Sequence, residues 1–386
     1  MQTFECITVA ICARNAAATI ERAIRSVTKY YDCPILLVDD FSVDETAKIA
    51  RRVGDGNLSV VHPANKKGIG NARQTAIENI KTPYGMWLDA DDEIMPTRIE
   101  HMHAELHSND YTLVFDAAEL WDGVSGQKTG DLPLHDFLQA EGGIWRLFER
   151  NWLPGLWGGF NSEFARSIGY DPAFLNGEDY DFTLRAITAG ANVSFSSKKG
   201  YKYYHYPNTV SRNLDQAMSF SDAALKKHSS TSFTNILNKT QLDKSEKHYL
   251  QACISLLSGN PADAIKWAEK AFGIETLLEP YQRSLTSLTH YLAATGYLQQ
   301  AQPLEALALF NTQAQKNAET YNNIGVCHWL LNDHSLAKDS FESALHLLPG
   351  YVDAVENLGN LGGDHPPRIT LLPLRPTPSR SSYGSP

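Results

Sequence analysis

Tyr84-Gly85-Met86-Trp87-Leu88-Asp89-Ala90-Asp91-Asp92-Glu93 decides how the first half of this chain is read. An apolar run with the pattern of a buried strand empties into three aspartates and a glutamate. Like charges packed that closely are costly unless something positive joins them. Hard oxygen ligands at this density suit a divalent cation such as Mg²⁺ or Mn²⁺, held by one or two carboxylates and completed by phosphate oxygens. The stretch therefore predicts a strand that ends at a metal-bound diphosphate. A local alternative has Asp92 capping a helix that begins near Pro96, with the other acids solvated in a turn.

Strand and helix patterns alternate on either side of this stretch. Ile7 to Cys12 is β-rich, and Ile20, Ala23, Ile24 and Val27 follow at helical spacing. Pro34 to Val38 predicts a second strand ending in Asp39-Asp40, Thr46 to Val53 a helix, and Leu58 to Val61 a third strand. A Gly-containing loop, Lys66 to Gly70, leads to a helix from Asn71 to Ile80. Such alternation predicts parallel pairing with right-handed crossovers. Ligands of open sheets bind beyond the carboxyl ends of the strands. Asp39, Asp40, Asp89 and Asp91 all fall there. Farther on, Tyr111 to Leu120 reads as a strand. Glu178-Asp179-Tyr180-Asp181 precedes a helix through Leu184 and Ile187, and Val193 to Phe195 and Tyr201 to Tyr206 read as two closing strands.

The chain has 386 residues, enough for two or three domains, with 42% hydrophobic and 20% charged residues. Its formal net charge of -10 argues against a nucleic-acid partner. The five cysteines (Cys6, Cys12, Cys33, Cys253 and Cys327) are scattered and unpaired in spacing, which predicts reduced thiols rather than disulfides or a zinc site. No secretory leader is visible, and no apolar run approaches the roughly 18 residues of a membrane span. The expectation is a cytoplasmic protein without an integral membrane segment.

From about Leu214 the pattern turns helical. Gly325 and Gly359 stand one 34-residue tetratricopeptide period apart, and Ala337, Phe341, Ala344 and Pro349 occupy that unit's small, aromatic, small and helix-stopping positions. Ala264, Ala268 and Ala271 suggest an earlier unit, and Ala306 with Phe310 another. Such arrays offer surfaces to a protein partner, a peptide or a second copy. The expected division is 1–212 for the α/β domain, 213–243 for a helical linker, 244–361 for repeats and 362–386 for a disordered tail rich in Pro, Ser and Gly.

The first half resembles a family 2 glycosyltransferase of GT-A fold. Five features carry the resemblance, in the family's order: the first strand with Asn15, Val38-Asp39-Asp40-Phe41-Ser42, Gly68-Ile69-Gly70-Asn71-Ala72-Arg73, Asp89-Ala90-Asp91-Asp92, and Glu178-Asp179. The fold class implied is a GT-A-type α/β nucleotide-binding domain followed by all-α tetratricopeptide-like repeats. The activity implied is metal-dependent, inverting transfer of a sugar from a nucleotide-sugar, with UDP the expected nucleotide. The acceptor expected is a hydroxyl on a glycan, a lipid-linked sugar or a protein or peptide.

By that resemblance Asp40 contacts the uracil ring, Asp89 the ribose and Arg73 the nucleotide side of the site, with Cys12 and Asn15 beside them. Asp91 is the expected direct ligand of Mn²⁺ or Mg²⁺, and His205 an additional metal or diphosphate contact. Arg212 closes over the phosphates. Asp179 is the expected catalytic base, and Glu178 with Trp157 supports the acceptor. Trp152 and Phe160 are further candidates for an aromatic sugar platform, or else core. Asp92 and Glu93 are expected to serve the turn. The Q-x-x-R-W motif of processive synthases is missing. Two other readings compete: a nucleotidyltransferase, which would need a Gly-rich basic loop after the first strand where Ala13-Arg14-Asn15-Ala16-Ala17 stands, and a repeat scaffold carrying a non-catalytic transferase domain.

Overall fold

A computed structural model describes residues 2–374 apart from 55, 65–67, 154, 156–157, 207–220, 222, 229 and 280. The chain divides between Ala224 and Leu225 into two compact units. The N-terminal unit is built on one nine-stranded sheet. Its strands are β1 (Ile7–Ala13), β2 (Ile35–Asp39), β3 (Leu58–Val61), β4 (Tyr84–Trp87), β5 (Glu93–Ile94), β6 (Leu113–Asp122), β7 (Lys128–Leu132), β8 (Gly159–Asn161) and β9 (Val193–His205). They lie in the order β3-β2-β1-β4-β8-β6-β9-β5, with β7 beside β6.

The β3-β2-β1-β4 half is parallel, as the alternation of strands and helices predicts. The inner strands β1 and β2 read as largely apolar runs because both faces are covered; every residue of β2 is buried. Helix α1 (Ile20–Thr28) turns Ile20, Ala23, Ile24 and Val27 inward, each with no exposed surface. Helices α2 (Thr46–Val53) and α3 (Ile69–Asn79) complete the crossovers of this half. The other half is mixed: β8 runs antiparallel to both β4 and β6. Gly85 permits this, since a Cβ there would stand 2.4 Å from the Phe160 ring.

Three sequence expectations are corrected. The two closing strands are one, β9, whose register against β6 shifts between Ser196 and Tyr201; a bulge bends a strand without ending it. The helix near Pro96 exists as α4 (Arg98–His103), but Asp92 does not cap it. Instead Asp92 is fully buried and accepts the Tyr204 N–H at 2.7 Å. The expected disordered tail is in fact packed through Leu374, described below. Two further helices matter for the site, α5 (Ser162–Ile168) and α6 (Glu178–Thr188).

The C-terminal unit is helical: α7 (Ser230–Leu237), α8 (Lys244–Leu257), α9 (Pro261–Glu269), α10 (Leu285–Gln299), α11 (Pro303–Asn311), α12 (Ala318–Leu330), α13 (His334–Leu347) and α14 (Val352–Gly359). The small and aromatic positions singled out in the sequence sit between packed helices. Ala264, Ala268, Ala306, Phe310, Ala337, Phe341 and Ala344 have no exposed surface. Gly325 lets α12 lie on α13, for a Cβ there would stand 2.5 Å from the Phe341 ring.

Candidate active site

The parallel register carries the acidic residues to one edge. Ala13 pairs with Asp39 across β1 and β2, and Ala10 pairs with Trp87 across β1 and β4. The carboxyl ends of three strands therefore meet, bringing Cys12, Asp40 and Asp89 side by side although they are far apart in sequence.

Arg73 is the positive centre of this edge. It projects from α3, is only 6% exposed, and donates from Nε to Glu178 at 2.8 Å. Its Nη2 lies 3.5 Å from the Asp89 carboxylate, and its guanidinium stacks on Trp87 at 4.6 Å. Burial opposes the charge, but Glu178 and then Asp89 outweigh it and hold Arg73 protonated. It is not the exposed helix arginine that α3 periodicity alone would allow.

Glu178 and Asp179 open α6, yet neither is the cap; Gly177 holds that position. Burial, then the neighbouring Asp179, pushes Glu178 up to about 7 against the pull of Arg73. Burial likewise raises Asp179. Both acids are thus poised to exchange protons nearer neutrality than ordinary carboxylates. Asp179 also borders a cavity no larger than a water molecule, walled by the buried side chains of Trp87, Phe160, Tyr170 and Phe182. Phe160 packs on Trp87, and Trp152 packs against His135 and Phe137; both are core, and neither is a platform.

The four acids after Leu88 have separate environments. Asp89 keeps a side chain 40% exposed, and its N–H donates to the Tyr201 hydroxyl at 2.9 Å. Burial, then Asp89, pushes Asp91 up to about 6. Asp92 and Glu93 are structural: Asp92 holds Tyr204 by its N–H, and Glu93 accepts the Tyr204 hydroxyl proton at 2.6 Å. Among the described residues no three His, Cys, Asp or Glu side chains converge as a metal cage. The pair Asp89 and Asp91 still suits a hard cation, because such an ion takes one or two carboxylates and otherwise phosphate oxygens.

Other expected residues have local partners. Both carboxylate oxygens of Asp40 meet the Gly68 N–H, at 3.0 and 3.2 Å, which ties β2 to the start of α3. Asn15 has a φ of 52° and accepts the Val43 N–H at 2.9 Å, joining the loops after β1 and β2. Burial pushes the Cys12 thiol up to about 12, so it is a neutral wall group. His205 Nε2 lies 3.9 Å from Asp122, its partner across β9 and β6. Trp157 and Arg212 lie outside the described residues.

Sequence reading missed Arg22. Projecting from α1, it donates to the Asp91 backbone carbonyl, donates to the Tyr206 hydroxyl at 3.1 Å, and stacks on Tyr204 at 3.8 Å. Nothing around it in sequence marks this, since Asp91 is 69 residues away. Tyr201 was also missed; only its place beside Asp89 reveals it.

The sequence profile of Glycosyl transferase family 2 matches residues 8–159. The succinoglycan biosynthesis protein ExoO of Rhizobium meliloti (strain 1021) is 23% identical over 248 residues, covering 58% of this chain and 68% of ExoO. ExoU of the same organism is 27% identical over 220 residues, covering 53% of this chain and 64% of ExoU. The chain thus spans about two thirds of the length of these relatives. Among solved structures, S. aureus TarS 1-349 in complex with UDP matches with a TM-score of 0.50 at 13% identity, covering 89% of this chain and 90% of TarS 1-349. At that identity the likeness concerns the fold alone. The residues matched by the family 2 profile fall inside the N-terminal unit, whose α/β domain is GT-A-like, and the chain is a glycosyltransferase.

Proposed function

We propose that the N-terminal unit transfers a sugar from a UDP-sugar to a hydroxyl acceptor with inversion at the anomeric carbon. The observation that carries this is Arg73, which joins Asp89 at the nucleotide edge to Glu178 beside the candidate base. In this reading Asp40 and Asp89 hold base and ribose, with Cys12 and Asn15 walling the pocket. Asp91 carries the cation, with His205 a second contact and Arg212 a phosphate donor. Bound there, Mn²⁺ or Mg²⁺ supplies Lewis-acid neutralisation of the departing diphosphate. Asp179 takes the proton from the acceptor hydroxyl as its oxygen attacks the anomeric carbon. Its raised proton affinity favours that role. Glu178 and Trp157 position the acceptor.

The acceptor class is a glycan, a lipid-linked sugar or a protein or peptide, and the chain works in the cytoplasm. Among the described residues no helix is long and apolar enough to cross a membrane. The helical unit, read as tetratricopeptide-like, contacts a protein partner or a second copy. The test is incubation with UDP-, GDP- and dTDP-sugars plus Mn²⁺, measuring release of nucleoside diphosphate. UDP comes first because TarS was crystallised with it. Release from one UDP-sugar, lost on adding EDTA, is the expected result. Release from none of the donors, with or without cell extract as acceptor source, would sink the transfer reading.

A further inference from the structure

The helical unit contains a recognition site that the transfer chemistry does not use. Asn323 on α12 and Asn357 on α14 stand 34 residues apart, on equivalent turns of alternate helices. Each grips the backbone N–H and C=O of one residue with the two ends of its carboxamide. Asn357 accepts the Arg368 N–H at 2.7 Å and donates to the Arg368 carbonyl at 2.9 Å. Asn323 does the same to Thr370, at 2.9 and 2.9 Å. Contact with residues two apart from one side is the period of an extended chain.

Further bonds read the side chains. The Thr370 hydroxyl donates to Asp353 at 2.7 Å and lies within hydrogen-bond reach of Tyr351. Arg368 pairs with Asp353 at 3.1 Å and Glu356 at 2.8 Å. Asn322 donates to the Arg368 carbonyl, and Tyr291 on α10 donates to the Thr370 carbonyl at 2.7 Å. Pro366-Pro367 favours an extended approach. Leu374 packs against the buried cluster of Ala318, Ala344, Tyr351 and Ala354.

This is a built site. Asn322 and Asn323 have no exposed surface, and Asn357 is 2% exposed. Much of what they bond is peptide backbone, and removing the segment would strand buried carboxamides without those partners. We propose that the face formed by α10, α12 and α14 is a peptide-binding groove for extended segments with a basic residue two positions before a hydroxyl residue. The chain's own residues 364–374 are its resident occupant, and a partner segment of the same pattern displaces them. Backbone gripping supplies affinity; the acids Asp353 and Glu356 supply the choice of Arg and Thr.

The test uses the full chain and a fluorescent peptide of residues 364–374. Substituting Arg368→Glu and Thr370→Glu together sets acids against Asp353 and Glu356 and opens the groove. The opened chain is expected to bind the peptide at least tenfold more tightly than the unsubstituted chain, whose groove is filled. Adding Asn323→Ala and Asn357→Ala is expected to abolish that binding. Hydrogen exchange follows the same events: the Arg368 and Thr370 amides are slow in the unsubstituted chain and fast in the opened one. Three results overturn the proposal: fast exchange of those amides in the unsubstituted chain, continued protection in the opened chain, or equal peptide binding by both chains. Absence of binding to a chain whose segment is released overturns it as well. A dimer formed by exchanging segments, seen by light scattering of the unsubstituted chain, overturns the assignment of the chain's own segment as occupant. None of these readouts depends on sugar transfer.

Discussion

Arg73 Nε and Glu178 Oε1 lie 2.8 Å apart although 105 residues separate them in sequence. This contact joins α3, which follows the nucleotide edge, to α6, which opens with the candidate base. Replacing Arg73 by Met leaves Glu178 buried without its cation. Breaking a buried pair in this way costs about 3–5 kcal/mol. Urea denaturation should register that loss, and a change under about 1 kcal/mol would contradict the role given to Arg73.

The raised carboxyls make stability depend on pH. Glu178 titrates near 7 in the fold, above its ordinary 4.5, and Asp91 near 6, above its ordinary 3.8. The folded chain therefore binds more protons than the unfolded chain between these values. Their contribution is fully present below the ordinary values and is lost as pH rises through about 4 to 7. Each should weaken the ligand-free protein by of order 1–3 kcal/mol across that window. Melting curves at several pH values check this, and Glu178→Gln should flatten the slope between pH 5 and 7.

Asp179→Asn preserves shape and removes the base. General-base groups contribute about 10²–10⁴ in rate. Turnover with the productive donor should fall by that range while UDP affinity, measured by calorimetry, stays within about twofold. Full turnover in this variant would exclude Asp179 as base.

Neighbouring aspartates should separate in experiment. Asp91→Asn is expected to abolish the Mn²⁺ dependence of UDP binding with a modest effect on folding. Asp92→Ala removes the acceptor of the Tyr204 N–H and should cost about 1–3 kcal/mol of stability. Its Mn²⁺ titration midpoint should not move. Reversed outcomes would interchange the two assignments.

Gly325→Ala probes the helical unit by itself. The added Cβ meets the Phe341 ring at 2.5 Å, and overpacking of this kind costs about 1–3 kcal/mol. Thermal unfolding of the full chain should show the transition of the helical unit displaced downward by several degrees.

The alternation of Ile7–Ala13, Ile35–Asp39 and Leu58–Val61 with helices was legible because apolar spacing is a local property. Strand ends were legible for the same reason, and with them the places of Asp40, Asp89 and Asp91. Composition misled at residues 362–374. Proline and glycine there do remove helix and strand preference, but the segment is ordered by asparagines on α12 and α14, which composition cannot register. The two closing strands were divided by Lys198-Lys199-Gly200, which interrupts the apolar pattern; the ladder to β6 bridges the interruption with a bulge.

Sequence by itself determined the strands and helices of the parallel half, their order and the acids that end those strands, since each depends on residues a few positions apart. Only the tertiary structure decided what each acid does. Asp91 is buried beside the charge of Asp89, while Asp92 one residue later turns inward and holds Tyr204. Both lie in the turn between β4 and β5, and what surrounds the acids of this turn is supplied by distant segments: Arg22, Arg73, Tyr201 and Tyr204. Burial and charge at a site are sums over neighbours in space, so a reading confined to neighbours in sequence cannot assign them.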